Sequence, residues 1–210
     1  MSTYVIGITG ASGAPYARRV LQGLLEQDHH VKLIVSPAGE RVLNIELGLR
    51  FSGALGARRE QWAEYLGVDR GRIELLGHRD FAASIASGSY AFEAMAVVPC
   101  SMGTLARIAS GVSTNLIERG ADVALKERRP LVLVPRETPL NRIHLKNMLA
   151  VHEAGAEVLP AMPGFYHHPR TVEDLVDTVA GRVLDRLGVQ NALFKRWQGD
   201  PLAELAGLED

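Results

Sequence analysis

Four stretches hold residue types whose spacing could serve chemistry. The first, Gly10-Ala11-Ser12-Gly13, follows an apolar run and opens a helical pattern. Its glycines let the backbone approach a ligand closely, and a helix start offers unpaired N–H groups to an anion. The second is Ser36-Pro37, at the end of the apolar run Val31–Val35. A dinucleotide site wants an acid near that point to hold a ribose. Serine stands there instead, and Gly7, Gly10 and Gly13 do not make the GxGxxG spacing. The third, Pro99-Cys100-Ser101-Met102-Gly103-Thr104, puts hydroxyls at another helix start, where they suit a phosphate or a ring edge. The fourth, Val134-Pro135-Arg136-Glu137-Thr138-Pro139, delivers adjacent charges to the end of a buried strand. Charges placed there are costly unless paired or used. Together these features weaken the case for NAD and leave a mononucleotide such as FMN open.

Other residues have a plain structural reading when taken alone. Cys100 has no base beside it and reads as a buried structural thiol. Lys126, in Leu125-Lys126-Glu127-Arg128-Arg129, reads as a solvated helix end favoured by the dipole. Arg136 and Glu137 read as a surface pair or as site residues. Arg182 sits on the edge of an apolar stripe, where a snorkelling arginine is ordinary and a phosphate ligand is the sharper alternative. Tyr166 lies in the aromatic loop Pro163-Gly164-Phe165-Tyr166-His167-His168-Pro169, which reads as a packed loop. The histidine pairs have no carboxylate or cysteine at ligand spacing, so no metal is expected. No GxSxG nucleophile motif occurs.

The elements that must position these loops alternate along the chain. Tyr4–Thr9, Val31–Val35, Arg72–Leu76, Met95–Val98, Leu131–Val134 and Glu157–Leu159 read as strands. Helical patterns lie between them: Ala17, Val20, Leu21, Leu24 and Leu25 fall on one helix face. Further helices are expected over Glu40–Leu49, around Gln61–Leu66, after Ser101-Met102-Gly103 and over Leu116–Leu125. Thr138-Pro139 predicts a helix start, with Thr as N-cap and Pro at the first helical position, running to about Glu153. Thr171 and Asp174 predict a capping pair for the last helix, whose core stripe is Val172, Leu175, Val176, Val179, Val183 and Leu184. This alternation implies a single doubly wound α/β fold: a parallel sheet with helices on both faces and ligands beyond the carboxyl ends of the strands. Residues 1–190 read as one domain. Residues 191–210, with Phe194, Trp197 and Leu202, read as a C-terminal tail that docks on that domain or on a neighbouring subunit.

Composition narrows the class further. The chain has 210 residues, 47% of them apolar and 22% charged, with a net charge of −1. That balance excludes bulk disorder and any global basic field for nucleic acid or an anionic membrane. Apolar runs are far shorter than the ~20 residues of a spanning helix. One cysteine rules out an internal disulfide framework and a cysteine-rich zinc site. The N-terminus shows no leader pattern, and a cytoplasmic protein is expected.

Five segments then resemble one family. Gly-Ile-Thr-Gly-Ala-Ser-Gly at 7–13, Ile-Ala-Ser-Gly-Ser at 85–89, Pro-Cys-Ser-Met at 99–102, Leu-Lys-Glu-Arg-Arg-Pro-Leu-Val-Leu-Val-Pro-Arg-Glu-Thr-Pro-Leu at 125–140 and Met-Pro-Gly-Phe-Tyr at 162–166 resemble the UbiX/Pad1 flavin prenyltransferases. The 125–140 block is highly specific. The resemblance implies a flavodoxin-like, Rossmann-like fold that binds FMN. It also implies metal-independent transfer of a dimethylallyl group from dimethylallyl monophosphate to N5 and C6 of reduced FMN. The same resemblance implies that the product, prenylated FMN, serves a UbiD-type decarboxylase and that the assembly is a homo-dodecamer, as is common in the family, with sites at subunit junctions. Gly10, Ala11, Ser12, Ser36, Ser101, Met102, Gly103, Thr104 and Arg136 match the family's cofactor-binding positions. Tyr166 and Arg182 match its prenyl-phosphate ligands. Ser12, Glu46, Lys126 and Glu137 match catalytic polar positions. Three positions depart from the pattern: Gly103 where relatives often carry Lys, Thr114 where Asp is common, and Phe81 where some have a larger aromatic. The alternatives are an FMN-dependent decarboxylase or oxidoreductase on the same scaffold, and a non-catalytic flavin-binding subunit.

Overall fold

Short apolar runs pair into one sheet, and the central ones are apolar on both sides. The six strands are β1 Thr3–Ile8, β2 His30–Val35, β3 Ile73–Leu76, β4 Ala94–Cys100, β5 Leu131–Pro135 and β6 Glu157–Val158. All neighbours are parallel, in the order β3-β2-β1-β4-β5-β6. The structure, a computed structural model, describes residues 1–197 and 199. Every residue of β4 is buried, as the centre of a sheet covered on both faces requires.

Seven helices supply the cover: α1 Ala14–Leu25, α2 Pro37–Leu47, α3 Leu55–Leu66, α4 Met102–Ala109, α5 Leu116–Lys126, α6 Arg142–Glu153 and α7 Val172–Arg186. Alternation along each strand divides the interior into two cores. Tyr4, Ile6 and Ile8 join Leu21, Leu24, Trp62, Val183 and Leu184 on one face. Val5 joins Met95, Leu105, Leu116, Ile117 and Val151 on the other. Helices α1 and α7 run side by side in the same direction, with Arg19 paired to Asp177 and Gly23 facing Leu184. A Cβ on Gly23 would lie 2.5 Å from Leu184 Cδ1, so the glycine sets how closely these helices approach. Among the described residues no helix is long and apolar enough to cross a membrane.

The doubly wound parallel sheet agrees with the sequence reading, and three details differ. Helix α6 starts at Arg142, not at Pro139, which follows a cis peptide. Asn141 is the cap: its Oδ1 accepts the His144 N–H at 2.8 Å, and asparagine outranks threonine in that role. Helix α3 begins six residues earlier than the pattern at Gln61–Leu66 suggests. Val172 is 68% exposed. It continues the stripe of Val176, Val179, Val183 and Leu184, but the first turn of α7 lies past the edge of the core, and Thr178 and Ala180 are buried within the stripe instead. The capping pair of α7 is as expected: Thr171 Oγ1 accepts the Asp174 N–H at 3.1 Å, and the Asp174 carboxylate accepts the Thr171 N–H at 3.0 Å.

Candidate functional site at the carboxyl edge of the sheet

Strand order reverses between β1 and β4, so the loops leaving those strands diverge and open a crevice. Thr9 ties the crevice together. Its N–H and hydroxyl both donate to the Pro99 carbonyl, at 3.2 and 2.8 Å, and its Oγ1 accepts the Ser101 N–H at 2.7 Å. The loop after β1 is also pressed against the start of α2. A Cβ on Gly10 would sit 2.5 Å from the Ala38 Cβ, and Gly13 has φ of 131°, a conformation that favours glycine. Among the described residues the N–H groups of Gly10, Ala11 and Ser12 donate to no atom of the chain. Three successive free donors beside an exposed Ser12 hydroxyl form a concavity suited to an anion or a ring carbonyl.

The start of α1 itself is not open to an anion, contrary to the sequence expectation. Glu46, reaching from α2, accepts the Gly13 and Ala14 N–H groups at 2.9 and 2.8 Å. A carboxylate at a helix N-terminus is stabilising, so this side chain occupies the place a phosphate would take. The other two helix starts carry their own caps. Ser36 Oγ accepts the Gly39 N–H at 3.0 Å, and Ser101 Oγ accepts the Thr104 N–H at 3.3 Å. The first-turn N–H groups of Met102 and Gly103 remain without an intrahelical acceptor. The donors left over thus belong to the 10–12 loop and the first turn of α4, which face each other across the crevice.

Arg136 closes the edge. From the end of β5 it reaches past β4 and donates Nε–H to the Ser12 carbonyl at 3.2 Å. It is not paired with Glu137, whose exposed carboxylate accepts the Thr138 N–H at 3.2 Å. Tyr16 stands behind the loop, and burial pushes its phenol pKa up, with Arg136 opposing and Glu46 assisting. Cys100 is fully buried, and burial pushes its thiol up to about 12, so it stays protonated and unreactive.

Nine expected residues plus Glu46 and Glu137 therefore gather or border on this edge; Lys126, Tyr166 and Arg182 do not. Lys126 ends α5 at the amino edge of the sheet, paired with Glu127 and lying against Gly88. The whole length of β5, about 16 Å for its five residues, separates it from Arg136. Arg182 lies between the levels of Arg19 and Gly23 along α1, so roughly two to three turns separate it from Ser12. It is half exposed and only 3.9 Å from Asp185, which is already paired with Arg196. Tyr166 stands edge-on to Trp197, their ring centres 5.8 Å apart, near that same group.

Of the departures from the family pattern, Gly103 is spatially permissive: a Cβ there would meet only Arg107 Nη1, at 3.5 Å. Thr114 donates both its N–H and its hydroxyl to Glu118, at 2.7 and 2.8 Å. Phe81 is exposed, 49%, on the segment after β3. Glu118 itself was missed by sequence reasoning. It is buried and paired with Arg107, one turn from Thr104. A signal existed: Asn115-Leu-Ile-Glu118 has the capping-box spacing. Asn115 does cap α5, accepting the Ile117 and Glu118 N–H groups at 3.0 and 3.1 Å, but the Glu118 side chain turns toward α4.

Comparison with known proteins agrees with this geometry. The family model described as Flavoprotein matches residues 2–184. The flavin prenyltransferase UbiX of Halalkalibacterium halodurans is 48% identical over 194 residues, covering 92% of both chains. That of Pseudomonas aeruginosa is 48% identical over 192 residues, covering 91% of this chain and 92% of the relative. The crystal structure of AnUbiX (PadA1) with FMN and dimethylallyl pyrophosphate superposes with a TM-score of 0.82 at 41% identity, over 95% of this chain and 98% of the other. The dodecameric FMN-dependent UbiX-like decarboxylase from Escherichia coli O157:H7 gives the same TM-score at 42% identity, over 94% and 100%. With the doubly wound sheet, the crevice at its reversal point and near-half identity along nine-tenths of its length, the chain belongs to the UbiX flavin prenyltransferase family.

Proposed function

We propose that this chain, a flavin prenyltransferase by family, joins the dimethylallyl group of dimethylallyl monophosphate to N5 and C6 of reduced FMN, and that the prenylated FMN serves a UbiD-type decarboxylase. The observation that carries the reading is the unspent donor set of Gly10, Ala11 and Ser12, lashed through Thr9 to the Ser101 loop and covered by Arg136. These residues fit FMN: free N–H groups, the Ser36 and Ser101 hydroxyls and a guanidinium suit its ring carbonyls and its phosphate, while nothing holds a second ribose. When bound and reduced, FMN supplies two nucleophilic ring positions.

The chain's own residues do the rest. A monophosphate leaves poorly, so the charge developing on it must be met; Lys126, Arg182, Tyr166 and Ser12 meet it with two cations and two hydroxyls. Phe81 offers an aromatic face to the electron-poor allyl carbon and helps to exclude water. Two protons are displaced, from N5 and C6: one returns to the middle carbon of the allyl unit, whose double bond is spent on the bond to C6, and one leaves with the phosphate; Glu137 would carry the C6 proton at its carboxylate. One copy of the chain keeps Lys126, Tyr166 and Arg182 away from the loops, so a complete site joins the loops of one copy to those residues of others. The dodecameric assembly of the Escherichia coli relative supports this arrangement, and a homo-dodecamer is proposed here. Residues 1–190 act as the flavoprotein domain; of the 191–210 tail, Phe194 lies against Gly181 of α7, and Leu202 lies outside the described residues. The enzyme is cytoplasmic in this reading.

The test is an anaerobic incubation with reduced FMN and dimethylallyl monophosphate, followed by mass spectrometry of the released flavin. A flavin heavier by one five-carbon unit, with phosphate set free, is expected. Unchanged flavin overturns the reading, and loss of carbon dioxide from an added acid without a heavier flavin establishes the decarboxylase alternative.

A further inference from the structure

Glu118 is the most completely buried charge among the described residues, 1% exposed, and it touches none of the residues assigned to the reaction. Its carboxylate accepts the Thr114 N–H and hydroxyl and pairs with Arg107 Nε. Arg107 lies near the end of α4, and its second nitrogen, Nη2, donates to Thr104 Oγ1 at 3.4 Å. Thr104 Oγ1 also accepts from the Ser101 hydroxyl at 3.1 Å. A hydroxyl has two lone pairs and one hydrogen. Both lone pairs of Thr104 are therefore occupied by donors, and its own hydrogen goes to no described atom. The hydroxyl is left as a donor at the start of α4, beside the free N–H groups of the first turn.

We propose that Glu118 is a positioning residue of the flavin site: by holding Arg107 on Thr104 it fixes the Thr104 hydroxyl as a donor to an acceptor atom of bound FMN. The inference rests on the reading of this crevice as the FMN site. Without the Arg107 bond, the Thr104 hydroxyl regains a free lone pair and is no longer restricted to donating. The carboxylate thus acts two steps away, through a guanidinium and a hydroxyl. Burying it is tolerable only because Arg107 and Thr114 satisfy it, which ties the α4–α5 packing to the geometry of the cofactor loop.

The experiment measures FMN dissociation constants by quenching of flavin fluorescence for wild type, Glu118→Gln, Thr104→Val, Thr104→Ser and the Glu118→Gln/Thr104→Val double variant. One lost hydrogen bond should weaken binding about fivefold in Glu118→Gln and in Thr104→Val. The double variant should be no weaker than Thr104→Val alone, because both changes remove the same donor. Thr104→Ser should keep most of the affinity, and the KM for dimethylallyl monophosphate should not move in Glu118→Gln. If Glu118→Gln does not fold, Arg107→Gln, which still offers Glu118 a donor but cannot reach Thr104, takes its place in the same cycle. Additive losses, or FMN affinity unchanged in Thr104→Val, overturn the proposal. Failure of the wild type to bind FMN would instead overturn the cofactor reading on which it stands.

Discussion

A carboxylate taken out of water keeps its charge only if enough donors replace the water, and Glu118 shows the balance. Burial pulls its pKa up, but hydrogen bonds from Arg107, Thr114 and Asn115 outweigh burial and hold it below the ordinary 4.5. A depressed carboxylate contributes stability in full above its unfolded value and loses it as pH falls through the folded one. His78, just after β3, is pushed below the ordinary 6.5, chiefly by burial, with Arg79 and Arg107 adding to it and Glu118 and Glu40 opposing. The unfolded chain then binds a proton first, so stability starts to fall below about 6.5. Two acid limbs are expected in urea midpoints measured from about pH 2.5 to about pH 8. Glu118→Gln should cost about 1–3 kcal/mol at neutral pH and flatten the limb below 4.5, while the limb that begins near 6.5 persists. A lower limb unchanged in Glu118→Gln would show that another carboxylate causes it. In the sequence only the capping-box spacing of Asn115 and Glu118 is legible. Only the packing of α4 on α5 places Arg107 opposite it.

Helix α2 shows how one element serves the site from both ends. Ser36 caps its start, and Glu46, in its last turn, reaches back to cap α1. That geometry requires α2 to lie against the end of β1. Gly39 permits it: a Cβ there would be 2.6 Å from the Ile8 carbonyl oxygen and 3.1 Å from its carbon, both backbone atoms that cannot yield locally. Alanine is favoured over glycine within a helix by roughly 0.5–1 kcal/mol. Overpacking against backbone costs about 1–3 kcal/mol, so the clash should win. Gly39→Ala is expected to lose about 1–2 kcal/mol in urea unfolding and to weaken FMN binding, since Ser36 and Glu46 shift with the helix. Gly56, in α3, faces open space, and Gly56→Ala should be neutral or stabilising by up to about 1 kcal/mol. Equal effects of the two substitutions would mean that helix propensity, not contact with Ile8, governs Gly39. The strands and most helices, α2 among them, were readable from periodicity. The start of α6 was not, because Thr138-Pro139 and Asn141 both carry start signals and only tertiary context chooses between them.

At the scale of the whole molecule, the proposed division of the site is the consequence that matters. The loops lie at the carboxyl edge, while Lys126, at the amino edge, and Arg182, well along α7 from its start, lie away from it. Arg182→Ala should raise the KM for dimethylallyl monophosphate about 10- to 100-fold with little change in FMN affinity, as loss of a charge-assisted phosphate contact would. Ser12→Ala should be impaired in its own right. If a site takes its loops from one chain and Arg182 from another, co-assembling equal amounts of these two variants should restore wild-type constellations in about a quarter of the sites. Activity that never exceeds the average of the parents would place all the residues of a site within one chain. Exposed Ile45, Ile143, Leu149 and Phe165 leave apolar surface outside both cores for such assembly.

The sequence by itself determined the alternation of strands and helices, the doubly wound parallel sheet and the loops that lie at its carboxyl edge. Those follow from local periodicity, from turn residues and from the handedness of the connections between parallel strands, all of which act over a few residues to a few tens. The motifs at 7–13 and 125–140 carried the family with them, since they combine residue types that packing alone would not demand. Tertiary structure alone decided which N–H groups were free. The α1 start looked open until Glu46, 33 residues away from Gly13, was found on it, whereas the 10–12 loop kept its donors. It alone decided that Arg136 turns to the Ser12 carbonyl rather than to its neighbour Glu137, and that Lys126 and Arg182 lie apart from both. The physical reason is the same in each case. Hydrogen bonds and ion pairs between residues distant in sequence depend on the register of packed elements, and one sequence offers every donor many acceptors until packing removes all but one.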